Sequence, residues 1–193
     1  MPDNLTTRAA RFAPAVDGAR KAPESLDEPA RTVVFALATE TPARVWDWER
    51  GIIEEVLLMS GAEFPAQVPL LDAHSRYSVE NQLGSLRTLH VEGAALCATA
   101  HFSSVPRAEE AFAKVREGHL TDISVGYSVE DAVWIPEGET AFVDGRTFSG
   151  PLRVVRKWRV KEGSLTPIGA DEQAKARSTA QPETLNQTEA VKM

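Results

Sequence analysis

The chain has 193 residues, of which 42% are apolar and 25% charged, the composition of an ordinary globular domain. Its formal net charge of −7, without any cluster of Lys and Arg, argues against a nucleic-acid-binding surface. Cys97 is the single cysteine, which excludes an internal disulfide and agrees with a reducing cytoplasm. No apolar run approaches the ~20 residues that cross a membrane, so we expect neither membrane nor nucleic-acid partners.

Composition divides the chain into three parts. Residues 1–30 alternate charges with prolines and lack hydrophobic periodicity, so we predict that this segment is disordered. Periodic apolar runs extend over residues 31–177, which we predict to form one folded domain. Residues 178–193 are polar and without pattern, and we predict a disordered tail.

The folded part consists mainly of short runs with the character of β-strands. These runs alternate apolar with polar residues or are rich in β-branched residues, and turn signals separate them. They lie at residues 31–39, 52–59, 68–71, 83–102 (a hairpin), 121–129, 133–135, 141–148 (a second hairpin) and 152–160. Many short strands of this kind, separated by turn signals, favour a β-barrel or a β-sandwich.

One internal helix is predicted between the strands. Ser104 can cap its N-terminus, Pro106 suits its first turn, and Gly118 suits the position after its last turn. Its apolar residues recur at helical spacing and predict a single stripe against the sheet: Ala108, Ala111, Phe112 and Val115. A short C-terminal helix is predicted from Asp171, which can cap it, to about Arg177. The predicted fold class is therefore mainly β with helices, or α+β.

The strand at residues 121–129 has two unlike faces. One face is apolar and typical of a buried strand: Ile123, Val125, Tyr127 and Val129. The other face carries only Ser124, Gly126 and Ser128. Small side chains let a second backbone approach closely, so we interpret Gly126 as room for an extended peptide. The same pattern also fits a strand whose solvent face carries serines.

The histidines and carboxylates decide whether a serine of this face can act as a nucleophile. A serine needs a nearby base to accept its proton, and a carboxylate usually orients that base. His74 is the best-placed histidine, because it ends an apolar run where a polar loop begins. Three carboxylates compete for the third position, and their spacing does not choose among them: Asp72, Asp122 and Glu162. The sequence has no HxH, HxxxH or CxxC spacing, so we predict no metal and no other cofactor. A metal-dependent hydrolase that uses His74 and scattered carboxylates is a further alternative, and it would show chelator-sensitive activity.

Several short segments are weak motifs one by one, but their order along the chain is characteristic of a protein family. They are residues 31–39, Glu54-Glu-Val-Leu-Leu58, Val68-Pro-Leu-Leu-Asp-Ala-His74, Gly84-Ser-Leu86, Gly118-His-Leu-Thr-Asp-Ile-Ser-Val-Gly-Tyr127 and Glu162-Gly-Ser-Leu-Thr-Pro-Ile-Gly-Ala-Asp171. Over roughly residues 31–177, the chain resembles the prohead serine protease family of tailed bacteriophages. Gly163 stands where that family often has an apolar residue, in the pattern Glu-Val-Ser.

The resemblance implies a fold and a set of catalytic residues. The family is similar in fold to the herpesvirus assemblins, which implies a β-barrel surrounded by helices. Carried onto this sequence, the family's nucleophile falls on Ser124, its base on His74 and its acidic partner on Glu162.

The resemblance also implies a function. It predicts a serine endopeptidase that cleaves scaffold protein, or a scaffold-like segment of the major capsid protein, during prohead maturation. Self-cleavage is part of this expectation, as is a homo-oligomer, inside the assembling prohead in the cytoplasm of a bacterial host. The alternative is a β-barrel assembly or scaffolding protein that binds capsid subunits and has no catalytic activity.

Overall fold

In the computed structural model, residues 6–7, 23–171 and 173–177 are described, and they form a mainly β structure with one α-helix. The strands are β1 (Thr6–Thr7), β2 (Thr32–Thr39), β3 (Ala43–Asp47), β4 (Gly51–Leu57), β5 (Ala62–Glu63), β6 (Gln67–Asp72), β7 (Gln82–Glu92), β8 (Ala95–Phe102), β9 (Ile123–Ile135), β10 (Thr140–Val143), β11 (Arg146–Ser149) and β12 (Leu152–Leu165). The helix, α1, spans Pro106–Arg116, and short 3-10 turns cover Met59–Gly61 and Val79–Asn81. The prediction of a mainly β fold with one prominent internal helix is confirmed.

Strand β12 is the central strand of a mixed ten-stranded sheet and pairs along both of its edges. It runs antiparallel to β9 from Leu152, opposite Ile135, to Leu165, opposite Ile123. On its other edge it pairs in parallel with β4, then β5, then β6. From β6 the sheet continues through β7 and β8 to β2, while β1 adds to the outer edge of β9. The ends of β9, β12 and β6 therefore meet in one region of the sheet.

Residues 173–177 connect the two sides of this sheet. Lys175 forms a β-bridge with Asp122 beside the start of β9, and Ala176 forms one with Phe35 of β2. Backbone hydrogen bonds of 2.9–3.3 Å accompany both bridges. Within the described residues these are single bridges rather than continuous ladders, so the sheet is not a closed barrel.

The prediction of a short C-terminal helix is wrong. The carboxylate of Asp171 does accept a bond from the N–H of Gln173 (3.0 Å), as a helix cap would. It also accepts bonds from the N–H and the hydroxyl of Thr39, at 2.6 and 2.8 Å, which tie it to the end of β2. The strand bridges then satisfy backbone groups of residues 173–177 that a helix would have paired internally.

Helix α1 matches its prediction except at its N-terminus. Its buried residues are those of the predicted apolar stripe: Ala108, Ala111, Phe112 and Val115. Gly118 follows the last turn with a φ of +74°, a conformation that glycine adopts without strain. The N-cap is Val105 rather than Ser104, and no side chain caps the helix. Pro106 reduces the need for a cap, because it has no N–H to satisfy.

The described residues extend beyond the predicted folded domain at its N-terminal side. Within the segment 1–30, residues 23–30 are described, and Asp27 forms a β-bridge at the start of β2. Apart from residues 6–7, the rest of that segment lies outside the described residues, as do residues 178–193. Across the described part of the chain, no helix has the length and the apolar character that a membrane crossing needs.

Candidate active site

A β-bulge in β12 turns Glu162 onto the face of the sheet that carries Ser124. Before the bulge, Val160 points into the apolar core and is 2% exposed. The register then shifts by one residue at Lys161, so that Glu162 lies opposite Gly126 of β9. In a strand with regular alternation, Glu162 would point to the same side as Val160. The bulge therefore reverses the direction of this carboxylate.

The loop after β6 brings His74 to the same face. Its chain is held against β12 by two bonds: Ala73 N–H donates to the carbonyl of Leu165, and His74 N–H donates to Oγ of Ser164, both at 3.0 Å. Ala73 and His74 have φ angles of +45° and +60°, in the left-handed region that non-glycine residues seldom adopt. A backbone conformation of this kind persists only where its surroundings hold it in place. In this conformation the His74 imidazole reaches Glu162.

The contact between His74 and Glu162 is the centre of the site. Nδ1 of His74 lies 2.7 Å from Oε1 of Glu162. An ionised carboxylate can only accept, so Nδ1 is the donor of this bond, and in a neutral imidazole the lone pair is then on Nε2. The second carboxylate oxygen accepts a 2.7 Å bond from Oγ of Ser164, and Nη2 of Arg76 lies 3.5 Å from Oε1. This is the geometry in which an acidic side chain orients an imidazole as a base.

Ser124 lies beside this pair, on the neighbouring strand. It is opposite Ser164 in the β9–β12 ladder, which places the two Cα atoms about 4.5–5.5 Å apart. Oγ of Ser124 and Nε2 of His74 are both buried, and neither has a hydrogen-bond partner among the described residues. A buried polar atom without a partner costs about 1–3 kcal/mol, and a catalytic role is one explanation for such an atom. No hydrogen bond therefore joins Ser124 to His74 in this structure, but Oγ of Ser124 and Nε2 of His74 are both without another partner.

The second candidate carboxylate, Asp72, lies two residues before His74 but faces elsewhere. It forms an ion pair with Arg107 of α1, with Oδ2 and Nη2 2.7 Å apart. Nearly half of its side chain is exposed. Asp72 is therefore paired with Arg107 of helix α1 and not with His74.

The third candidate, Asp122, is also engaged away from His74. It accepts bonds from Nζ of Lys175 (2.7 Å) and from the N–H of Gly169 (3.0 Å). Burial raises the pKa of the Asp122 carboxyl, but these two bonds and one from Thr121 together hold the pKa below its ordinary value. Of the three carboxylates, Glu162 is the one that the geometry favours as the partner of His74.

Two glycines shape the surroundings of Glu162. A Cβ on Gly126 would lie 2.0 Å from Oε1 of Glu162, so the carboxylate fills the space that we had assigned to a substrate backbone. That interpretation of Gly126 is wrong, and its lack of a side chain instead lets Glu162 lie against β9. A Cβ on Gly163 would lie 2.4 Å from Cδ1 of Leu86. Leu86 therefore fills the place of the apolar residue that is common in the Glu-Val-Ser pattern.

A cleft of about 840 Å³ opens between α1 and the ends of β6 and β12. Its lining includes Asp72, Arg107, Lys114, Leu120 and Leu165. Two of these residues are close in sequence to the site, since Asp72 is two residues before His74 and Leu165 follows Ser164 directly. Six of the eleven lining residues are apolar, and the other five are charged residues or histidine.

A separate cluster of possible ligand atoms lies on the β7–β8 hairpin. His90, Glu92 and Cys97 each offer one atom, all within 4.8 Å of one another. The guanidinium of Arg177 already contacts two of them, with Nη1 3.3 Å from Sγ of Cys97 and Nη2 3.2 Å from Oε1 of Glu92. Burial raises the pKa of the Cys97 thiol, which disfavours the thiolate that metals bind. The positive charge of Arg177 would also repel a metal cation, so this cluster is better explained as an ion pair.

Sequence reasoning missed two residues of the site, Ser164 and Arg76. Ser164 comes two residues after Glu162, and this spacing on one strand face was the available signal. The predicted strand at residues 152–160 ends before Ser164, so its alternation does not extend to this residue. Arg76 lies in a loop, where spacing carries no information on direction.

Comparisons with protein-family profiles, curated proteins and solved structures returned no match. The assignment of a function therefore depends on the contacts of His74, Glu162 and Ser124 and on the sequence motifs.

Proposed function

We propose that this chain is a serine endopeptidase in which Ser124 is the nucleophile, His74 the base and Glu162 the acidic partner. The observation that carries the proposal is the 2.7 Å contact between His74 and Glu162 on the face that holds Ser124. A histidine whose Nδ1 is held by a carboxylate can accept a proton at Nε2. Of the two serines beside the His74–Glu162 pair, Ser164 has its hydroxyl engaged with Glu162, whereas Ser124 does not.

The hydrogen bond between His74 and Glu162 indicates which group accepts and donates the proton at each catalytic step. The mechanism requires Oγ of Ser124 to come within hydrogen-bond reach of Nε2 of His74, and neither atom has another partner among the described residues. His74 accepts the hydroxyl proton as Oγ attacks the peptide carbonyl carbon, and it donates that proton to the amine when the C–N bond breaks. Water then attacks the acyl-enzyme by the same route and restores Ser124. Throughout, Glu162 keeps Nδ1 protonated and stabilises the imidazolium that forms.

The outer edge of β9 can receive an extended peptide. β12 occupies one edge of β9. On the other edge Thr6–Thr7 pairs antiparallel with Tyr127 and Gly126, and Lys175 bridges Asp122, so the open stretch of this edge is the short one beside Ser124. A peptide in this register would place the residue opposite Ser124 three positions after the residue opposite Tyr127. Pairing of this kind supports β-augmentation as the mode of substrate binding, and it selects flexible, extended segments.

The identity of the substrate and the setting come from the resemblance to the prohead proteases. We propose scaffold protein or a scaffold-like segment of the major capsid protein as substrate, together with self-cleavage, inside the assembling prohead. An assemblin-like arrangement of the strands, as an open rather than a closed barrel, belongs to the same proposal. Its support is the strand order from β9 through β12, β6, β7 and β8 to β2, whose two ends are linked by the bridges of Lys175 and Ala176.

A fluorophosphonate probe tests the proposed nucleophile without knowledge of the substrate. We expect phosphonylation of Ser124, located by peptide mapping, because only an activated serine displaces the fluoride. His74→Ala should slow the labelling strongly. An adduct on Ser164, or no adduct on a folded chain, would contradict the assignment. Co-expression with capsid protein, followed by mass spectrometry of both chains, then reports cleavage sites and self-cleavage.

The Gly126→Ala variant is expected to lower the cleavage rate by about 10²-fold, the effect of displacing a catalytic group by about 1 Å. The added Cβ would overlap Oε1 of Glu162, whose side chain can move away while the strand stays paired. Gly169→Ala is the control, because its Cβ would lie 3.3 Å from Cβ of Asp122, outside the site. Steady-state kinetics and thermal unfolding of both variants make the comparison, and unchanged activity of Gly126→Ala would contradict the role given to this contact.

The alternative is an inactive assembly protein that binds capsid subunits. Two observations favour it: Ser124 is 3% exposed, and no hydrogen bond joins it to His74. It predicts that the folded chain binds capsid subunits in sedimentation experiments but neither reacts with the fluorophosphonate nor cleaves them.

A further inference from the structure

We infer that Ser164 is a positioning residue that couples the carboxylate of Glu162 to the backbone of His74. The inference rests on the proposed function, since it concerns how the base and its acidic partner are held. Neither the motif nor the spacing had given Ser164 a role.

The hydroxyl of Ser164 makes two directed bonds in the site. It donates to Oε2 of Glu162 at 2.7 Å, and it accepts from the N–H of His74 at 3.0 Å. A hydroxyl has one proton to donate, so the direction of the first bond follows from the acceptor-only carboxylate. Ser164 thus links the acidic partner to the main chain of the base by a single oxygen atom.

The linkage acts on two parts of the site that need support. The backbone of His74 is in the left-handed region, at φ +60°, where it must be held by its surroundings. The Glu162 carboxylate has one oxygen on Nδ1 of His74, and rotation about its last side-chain bond would break that contact. Ser164 holds the second oxygen and thereby sets the plane of the carboxylate.

Burial makes these bonds persistent. Ser164 is 0% exposed and Glu162 is 2% exposed, so solvent cannot readily replace the hydroxyl. The same engagement explains why Ser164 is unsuited as the nucleophile although it lies directly opposite Ser124. The two serines therefore have different tasks: Ser124 reacts, and Ser164 orients.

Removal of the hydroxyl should affect catalysis more than substrate binding. We expect Ser164→Ala to lower kcat by about 10- to 100-fold, with KM changed little. This is the effect seen in metalloenzymes when a hydrogen-bond partner that orients a functional histidine is removed. Ser164→Cys keeps the shape and a weak donor, so its kcat should lie between those of the alanine variant and the wild type. Ser85→Ala on β7 is the matched control, since Ser85 is also buried but accepts a bond from Arg87 instead.

Proton NMR of the full chain tests the linkage without any need for activity. In the Ser124→Ala background, the proton on Nδ1 of His74 should give a low-field resonance because it is bonded to a carboxylate and protected from exchange. Adding Ser164→Ala should broaden or abolish this resonance, Ser164→Cys should weaken it, and Ser85→Ala should leave it unchanged. An unaffected resonance in the folded Ser164→Ala chain would overturn the inference. If no variant of the chain cleaves peptides but the resonance responds as expected, the proposed function fails and the positioning role stands.

Discussion

Replacing Ser124 with alanine is expected to lower the rate of peptide cleavage by about 10⁴- to 10⁶-fold, as loss of the nucleophile does in other serine hydrolases. Ser164, the serine directly opposite Ser124, is engaged with Glu162 and the His74 backbone and cannot substitute for the missing hydroxyl. KM should change little, because the substitution removes one oxygen atom without altering the strand. The measurement is hydrolysis of a fluorogenic peptide that carries the sequence cleaved by the wild-type chain.

Ser128→Ala is the matched control for this prediction. Ser128 lies on the same strand, four residues after Ser124 and opposite Arg159 of β12. It should retain activity within about twofold, the usual range for a substitution outside the site. If Ser124→Ala cleaves the peptide as fast as Ser128→Ala does, Ser124 is not the nucleophile.

Replacing Glu162 with glutamine is expected to lower the cleavage rate by about 10³- to 10⁴-fold. Glutamine has nearly the shape of glutamate, but its amide can donate to Nδ1 of His74 and so stabilise the tautomer that cannot accept a proton at Nε2. It also lacks the negative charge that stabilises the imidazolium. Steady-state kinetics should show the loss in kcat, and thermal unfolding should show that the variant folds.

The two competing carboxylates supply controls of the same chemistry. Asp72→Asn and Asp122→Asn should each keep most of the activity, because their partners are Arg107 and Lys175 rather than His74. A large loss in either variant, with Glu162→Gln active, would show that the acidic partner was chosen wrongly.

Asp122→Asn has an additional expected effect on stability. The pKa of Asp122 is lowered in the fold, so its charged form stabilises the protein above the ordinary carboxyl pKa, and this contribution is lost as the pH falls through the lowered value. The variant should therefore unfold more readily than the wild type at neutral pH, and the difference should shrink in acid. Thermal unfolding at neutral and acidic pH measures both, and a difference that does not depend on pH would contradict this explanation.

Local patterns in the sequence determined much of the secondary structure. Alternation predicted the strand around Ser124, and helical spacing predicted the buried stripe of α1, because each pattern depends only on the period of its own element. The C-terminal helix was predicted wrongly for a related reason. Asp171 has the features of a cap, but bonds to Thr39 of β2, distant in sequence, decide its role.

The sequence by itself also indicated the candidate residues, since the ordered motifs pointed to Ser124, His74 and Glu162. It could not choose Glu162 over Asp72 and Asp122 on spacing, because the choice depends on which face of β12 the side chain takes. Tertiary structure decided that through the bulge at Lys161, which reverses the alternation and turns Glu162 toward Gly126. A bulge depends on pairing with another strand, so no pattern within β12 reports it. From the sequence, the small polar face of the strand around Ser124 is expected to be exposed to solvent. In the structure, the proposed catalytic pair of His74 and Glu162 covers that face.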